Sequence, residues 1–427
     1  MNSTEDPLEL LRAAFYTAVA AAHPAVPLQK QLPEPPTGRL TVVGAGKAAA
    51  TMAQTVEAHY SHYLGAKLGG LVITPYGHKL PTERIRVLEA SHPVPDRAGY
   101  LATRQMLELL QNLSEEDLVL CLVSGGGSAL LTAPQGVSLE QKAALTGDLL
   151  HSGATIHEIN AVRKHLSAVK GGLLAKAAAP ARVYGFYLSD VVGDDLTSIA
   201  SGPTSPDLST YEDALAVLDR YRIEAPEARL HLRNGVAGRV PETPKPDDPI
   251  FAEVSNTVIA SNQKSLEAVA EFFRERGVPA HILSSSVEGE ASEAAKMHAA
   301  IARQVRVHAQ PFSRPCALIS GGETTVTVRR RDAKGGRNSE FALALALELG
   351  DLEGVYALVA DTDGVDGSED NAGVFVTPDS LKRLDRARAR TLLEANNSYE
   401  FFRKQDALLV TGTTHTNVND LRILLLL

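Results

Sequence analysis

Leu40-Thr41-Val42-Val43-Gly44-Ala45-Gly46-Lys47-Ala48-Ala49-Ala50-Thr51-Met52-Ala53 is the stretch that decides the fold class. Its first four residues form an apolar, partly β-branched run of the length and composition of a buried strand. A tight glycine turn follows at once, and then an alanine-rich segment that favours helix. The same order recurs along the chain: the apolar runs Gly70-Leu71-Val72-Ile73, Leu118 to Val123 and Val183 to Leu188 alternate with helical segments such as Arg97 to Leu110 and Leu139 to Leu150. Alternation of this kind builds a mostly parallel sheet with helices on both faces. The expected fold class is therefore α/β.

At 427 residues the chain exceeds one ordinary core, and a prior of about 100–200 residues per domain leads us to expect two. A helix is expected over Leu8 to Ala22, then a proline-rich connector from Pro24 to Pro36. Between residues 221 and 250 prolines 226, 241, 244, 246 and 249 lie among charged residues, and the boundary is expected there. This gives domains of residues 1–245 and 246–427. The second should hold a strand at Thr257 to Ala260 and helices near Gln263 to Arg274 and Glu290 to Val305. Its run Ala317-Leu318-Ile319-Ser320-Gly321-Gly322 echoes Leu120 to Gly126, and an old duplication and chance both remain open. The run Leu424 to Leu427 reads as packed against the body or as a chain end.

A composition of 44% hydrophobic and 22% charged residues is that of a globular chain. The net charge of −9 argues against a nucleic-acid footprint, which needs clustered positive charge. Arg329-Arg330-Arg331 is the one basic run, read as a solvated hairpin end or as a neighbour of a phosphate site. Cys121 and Cys316 each lie in an apolar run and read as buried strand thiols, which suits a reducing cytoplasm. The acidic start Met1 to Asp6 lacks the layout of a signal peptide, and no segment approaches the roughly 18 apolar residues of a membrane span. We expect a cytoplasmic protein with neither nucleic-acid nor membrane partners.

In open parallel sheets ligands bind beyond the carboxyl ends of the strands, where glycines let the backbone approach a phosphate. Three clusters qualify: Gly44-Ala45-Gly46-Lys47, Ser124-Gly125-Gly126-Gly127-Ser128 and Gly321-Gly322. The first is neither a P-loop, which needs four residues between its glycines, nor a full dinucleotide fingerprint, since Ala49 would have to replace the third glycine. Lys47 at a helix start opposes the helix dipole and suits an anion, with a structural salt bridge as the alternative. Asp190, Asp194 and Asp195 follow a strand and suit a metal or a general base, with helix capping as the bland reading of the last two. Arg337 opens a helix behind Gly335-Gly336, the position of an anion clamp. Asp361 and Asp363, spaced i, i+2 at a strand end, can share a metal or divide metal and base roles. Asp361-x-Asp363-Gly364 also admits a haloacid-dehalogenase reading with an aspartate nucleophile, but that motif normally opens its fold. The histidines, His92 in Ser91-His92-Pro93 among them, lack zinc-ligand spacing, and no zinc is assigned.

Taken in order, Val42 to Ala48, Ser91 to Asp96, Val123 to Leu131, Ile156 to Ser167, Leu188 to Pro203, Gly335 to Glu340 and Ala360 to Asp370 make the chain resemble the glycerate kinases that form 2-phosphoglycerate. Those proteins carry an amino-terminal domain of formerly unknown function and a carboxy-terminal MOFRL domain, here about residues 312–420. The resemblance implies a larger Rossmann-like three-layer domain, a smaller α/β MOFRL domain and an active site in the cleft between them. It implies transfer of the ATP γ-phosphoryl group to the 2-hydroxyl of D-glycerate with Mg2+ or another divalent cation, and we carry a homodimer as the expected assembly. Under this reading Lys47, Asp190, Arg337 and Asp363 are catalytic. Asp361, Asp363 and Asp190 are the metal candidates. Gly44, Gly46, Ser124 to Ser128, Asn160, Arg163, Lys164, Gly321 and Gly322 face the nucleotide, with structural roles open for Asn160 and Lys164.

Some relatives of this family bear the older label hydroxypyruvate reductase, which is the competing reading. A pure binding module fits poorly with so many polar clusters at strand ends. The tail Thr411-Gly412-Thr413-Thr414-His415-Thr416-Asn417-Val418-Asn419-Asp420-Leu421 departs from the family pattern, with Thr413 and His415 in the places of a proline and a glycine. That departure puts tail contacts to a ligand in question.

Overall fold

A computed structural model describes residues 6–330, 334–382 and 386–427. The readings placed on Met1 to Glu5 and on Arg331 lie outside them. The chain divides into two compact units, one of Pro24–Ile259 and one that joins the segment ending at His23 to Ala260–Leu427.

In the first unit β1 (Leu40–Ala45), β2 (Leu68–Pro75), β3 (Ile85–Ala90), β4 (Leu118–Val123), β5 (Arg182–Leu188) and β6 (Val254–Ala260) form one sheet in the order β3-β2-β1-β4-β5-β6. The pairs β3–β2, β2–β1, β1–β4 and β4–β5 are all parallel. Every residue of β1 and β4 is buried, as expected for central strands covered on both faces. Their side chains divide with period two. Val43, Ala45, Cys121 and Val123 join Met106 and Leu130 on one face, and Leu40, Val42, Leu120 and Leu122 join Met52, Ala53 and Val56 on the other. Burial pushes the Cys121 thiol up to about 12. At Gly44 a Cβ would stand 1.9 Å from the Leu122 carbonyl oxygen, so glycine is what lets β1 and β4 approach there.

The proline-rich stretch expected to divide the domains belongs inside this unit. Pro226 opens the helix Pro226–Val236, where its missing N–H has no helical partner to lose. That helix packs Ala228 and Leu232 against Tyr211, Ala214 and Leu218. The segment Thr257 to Ala260, expected in the second domain, belongs to edge strand β6 of the first sheet. The division thus falls after Ile259 instead of residue 245.

The second unit holds β7 (Ala280–Glu290), β8 (Cys316–Thr325), β9 (Val355–Asp361), β10 (Gly373–Val376), β11 (Leu408–Leu409) and β12 (Asp420–Leu426), ordered β11-β10-β9-β12-β8-β7. Among the described residues only β7 and β8 pair in parallel here; β12 runs antiparallel to both β8 and β9. The leucine run at the end of the chain is therefore a central strand. It is apolar without alternation because both of its faces are covered, Leu424 and Leu426 in one core cluster and Ile423 and Leu425 in another. The amino-terminal helix Pro7–Ala22 also belongs here, capped by Asp6 and packing Leu11 and Phe15 against the helix Asn262–Glu275. Sequence order alone assigned it to the first domain, but its apolar stripe has its partners more than two hundred positions downstream.

Candidate active site

The first unit builds its polar centre where the strand order reverses. The chain runs from β1 to β2 on one side, then returns to place β4 on the other side of β1. Such a switch point opens a crevice at the carboxyl ends of the strands. The loops after β1 and β4 are laced together there. Lys47 N donates to the Gly125 carbonyl at 2.8 Å, Ser124 N to the Ala45 carbonyl at 3.1 Å, and Ala48 N to Ser124 Oγ at 3.0 Å. Gly46 passes so close to Ser124 that a Cβ would stand 2.1 Å from its Oγ. Buried Ser124 is thus a clasp between loops rather than a surface donor, whereas Ser128 and Lys47 are only partly buried. Gly126 adopts φ 84° beneath the His92 ring, 3.1 Å from where its Cβ would be.

Helix Ile156–His165 starts at Thr155 with a complete capping box and carries Asn160, Arg163 and Lys164. Asn160 Oδ1 accepts from Ser201 Oγ at 3.1 Å, and Ser201 Oγ lies 3.5 Å from Ser128 Oγ, which ties the helix to the glycine loop. Lys164 is ion-paired within the unit: its Nζ sits 3.2 Å from Asp207 Oδ1, both side chains buried. Asp190, half-buried, leaves the carboxyl end of β5, the neighbour of β4. Asp195 caps no helix but closes a local turn, accepting from Thr197 N at 3.0 Å and Ser198 Oγ at 2.7 Å. Burial pushes its pKa up, and those hydrogen bonds more than reverse the push, leaving it below the ordinary carboxylate value.

In the second unit Arg337 is the first residue of the helix Arg337–Leu349 and faces three carboxylates. Its Nε lies 2.8 Å from Asp420 Oδ1, Nη2 lies 2.6 Å from Asp361 Oδ2, and Nη1 lies 3.2 Å from Glu323 Oε1. Burial opposes the Arg337 charge, but Asp420, Asp361 and Glu323 outweigh it and raise its pKa. Asp361 moves upward too, well above the usual carboxylate range, because burial and then the Asp363 charge act more strongly than Arg337. Asp420 is further held by Asn338 Nδ2 at 2.9 Å and by buried Arg422 Nη2 at 2.5 Å. Asp366 accepts from the amides of Asn338 and Ser339 at 2.9 and 2.8 Å and so caps the same helix.

Asp420, Arg422 and Asp366 escaped the sequence reading. The signal was there: a charged pair two apart inside Asn419-Asp420-Leu421-Arg422-Ile423-Leu424, an otherwise apolar strand where an unpaired charge would be prohibitive.

Gly321 and Gly322 lie within β8, not in a loop beyond it, and their smallness is used up by packing. A Cβ would stand 1.7 Å from Asn262 Oδ1 at the first and 2.3 Å from Val287 N at the second. Arg329 and Arg330 are exposed, but in irregular chain and not at a hairpin end. The tail departure is accommodated. His415 adopts φ 58°, the left-handed region that a glycine would enter freely. Thr414 N donates to the Asp363 carbonyl at 3.1 Å, and Thr414 Oγ1 to the Thr362 carbonyl at 2.6 Å. The tail thus shapes the Asp361–Asp363 loop.

Among the described residues no group of three or more His, Cys, Asp or Glu side chains forms a metal cage. Asp361 spends Oδ2 on Arg337 and Oδ1 on the Asp363 amide at 2.9 Å. Partly exposed Asp363 fits better as the single protein carboxylate that magnesium takes alongside phosphate oxygens. Among the same residues no helix is long and apolar enough to cross a membrane.

A family model described as "Domain of unknown function (DUF4147)" matches residues 10–233, and one described as "MOFRL family" matches residues 316–420. The chain is 45% identical over 423 residues to a protein of Agrobacterium vitis named putative hydroxypyruvate reductase, covering 98% of this chain and 94% of the relative. It is 43% identical over 411 residues to a D-glycerate 2-kinase of Thermotoga maritima, covering 95% of each. Its fold is similar to the crystal structure of a glycerate kinase from Thermotoga maritima, with a TM-score of 0.88 and 42% identity over 98% of this chain and 99% of that one.

Proposed function

We infer the reaction from family and site together: the chain belongs to the glycerate kinases that join a DUF4147 domain to a MOFRL domain, and it transfers the γ-phosphoryl group of ATP to the 2-hydroxyl of D-glycerate. The observation that carries this reading is the laced pair of glycine loops at the switch point of the parallel sheet. Glycine loops at such an edge let the backbone approach phosphate oxygens, and Lys47, partly buried in the first of them, is the cation we assign there.

Phosphoryl transfer needs positioning and charge neutralisation more than covalent participants. In our assignment the Gly125-Gly126-Gly127-Ser128 loop and Lys47 hold the nucleotide phosphates, and Asp190 accepts the proton of the glycerate hydroxyl as its oxygen bonds to phosphorus and ADP departs. Arg337 engages an anionic group of the substrate with its Nη1 edge, where half-exposed Glu323 is the partner easiest to displace. Asp363 would hold magnesium, which neutralises phosphate charge when bound. Asp361, engaged by Arg337, is a positioning residue.

The name carried by the Agrobacterium relative favours a second reading, reduction of hydroxypyruvate by a nicotinamide cofactor. Two assays on one preparation separate them. Purified protein with D-glycerate, ATP and magnesium releases ADP and forms 2-phosphoglycerate, while hydroxypyruvate with NADH leaves the nicotinamide absorbance unchanged. Loss of that absorbance without ADP release would overturn the kinase reading.

A further inference from the structure

Strand β12 is apolar and covered on both faces, yet it carries an arginine in its interior. Arg422 is 0% exposed and heads the fully buried side chains of the described residues by volume. Side chains two apart on a strand share a face, so Asp420, Arg422, Leu424 and Leu426 point the same way, and the two leucines join Phe341 and Leu345 of the helix Arg337–Leu349 in one core cluster. A leucine at 422 would extend that cluster without stripping water from a charge. Buried ion pairs can often be replaced by apolar side chains at no loss of stability, so packing alone gives no reason for this one.

Every contact of the guanidinium lies inside the unit. Nη1 donates to the Gly321 carbonyl at 2.9 Å, and Nη2 donates to Thr324 Oγ1 at 3.1 Å and to Asp420 Oδ2 at 2.5 Å. The group also lies 4.9 Å from the centre of the Phe341 ring. Burial, only partly opposed by Asp420, draws its pKa below the ordinary arginine value, but an arginine stays charged at neutral pH. Asp420 stands between two cations. Its Oδ1 accepts from Arg337 Nε at 2.8 Å and Asn338 Nδ2 at 2.9 Å, and its Oδ2 accepts from Arg422 and from Thr324 N at 3.3 Å. Arg337 meanwhile faces three carboxylates, Asp420, Asp361 and Glu323. Without a second cation the site would be negative overall and would repel an anion.

We propose that Arg422 is a positioning residue for the reaction: it offsets Asp420 from behind, so that Arg337 keeps its Nη1 edge cationic toward the substrate. The proposal rests on the reading that Arg337 meets an anionic group of D-glycerate. It adds that the strength of this contact is set by a side chain too deeply buried to touch the substrate.

Steady-state kinetics of the intact protein at saturating ATP and magnesium test it. Arg422→Gln keeps a donor for the Gly321 carbonyl and removes the charge. It should lower kcat/KM for D-glycerate by about 10- to 100-fold, mostly through KM, the range for a hydrogen bond to a charged group. Adding Asp420→Asn removes the carboxylate that Arg422 offsets and should raise kcat/KM at least about fivefold above the single variant. A packing role alone predicts a further fall, because one more partner is lost. If Arg422→Gln fails to fold, the double variant leaves neither of the two charges orphaned and should fold with kcat/KM within about tenfold of wild type. A folded Arg422→Gln protein with wild-type KM, or a double variant no better than the single, or about a hundredfold below wild type where the single does not fold, overturns the proposal. Arg337→Gln, measured beside them, separates the two readings. If it is impaired while Arg422→Gln is not, the role of Arg422 alone falls; if neither changes the KM for D-glycerate, the substrate role of Arg337 falls as well.

Discussion

Replacing Arg337 by methionine should separate two duties that the side chain performs at once. The guanidinium contacts Asp420 and Asp361, whose side chains are 0% and 5% exposed. Removing one partner of a buried ion pair typically costs about 3–5 kcal/mol, because the other charge is left uncompensated. Here the loss should fall at the lower end, about 3 kcal/mol. Asp420 retains Arg422 at 2.5 Å and Asn338 at 2.9 Å, and Asp361, already displaced upward in pKa, can take up a proton. Adding Asp361→Asn removes the remaining orphan charge and should return at least about 2 kcal/mol of that loss. Neither variant restores the cation, so both should lose at least about a hundredfold in turnover. Urea unfolding near pH 7 reads the first quantity, and ADP release with D-glycerate reads the second. If the single variant is as stable as wild type, Arg337 does not neutralise a buried pair. If the double variant regains turnover, Arg337 serves only to offset Asp361 and has no substrate role.

Three further variants probe packing and titration. Gly44→Ala should cost more than about 3 kcal/mol by chemical denaturation, because its Cβ would meet the Leu122 carbonyl oxygen at 1.9 Å. Gly147→Ala, in helix Leu139–His151 with nothing within 4 Å of its Cβ, should stabilise by about 0.4–1 kcal/mol. The reverse order of effects would refute the packing described for β1 and β4. His298, buried with Nε2 on Ser320 Oγ at 2.8 Å, is lowered from 6.5 to about 4, mainly by burial. Between those values the unfolded chain binds the proton and the folded chain does not, so stability declines as pH falls from 6.5 toward 4. His298→Asn should flatten that part of the stability profile measured by urea titration; an unchanged slope would show that other groups set it.

The first sheet was legible because its signals are local. Leu40 to Val43 and Leu118 to Val123 are too short and too apolar to be anything but interior strands once glycine turns follow them. Lys47 and Ser128 could be marked as site candidates because strand ends in parallel sheets all open on one edge. Ser124, Lys164 and Gly321 looked equivalent by the same logic, and only their neighbours show that each also has a structural duty. Ser124 caps the Ala48 amide, Lys164 is paired with Asp207, and Gly321 accommodates Asn262.

By itself the sequence determined the alternation of strands and helices, the glycine turns, and the polarity of the residues placed just after them, since each depends on neighbours within one or two turns of chain. Tertiary structure decided what depends on distant partners. It joined the helix Pro7–Ala22 to Asn262–Glu275 and made a tail of leucines the central strand between β8 and β9. It also brought Asp420 and Asp361 to Arg337 and set Ser201 beside Asn160 and Ser128. Charge pairing and packing act through space, so a residue's neighbours, and with them whether it is a clasp, a counter-ion or a ligand group, are fixed only when the chain closes on itself.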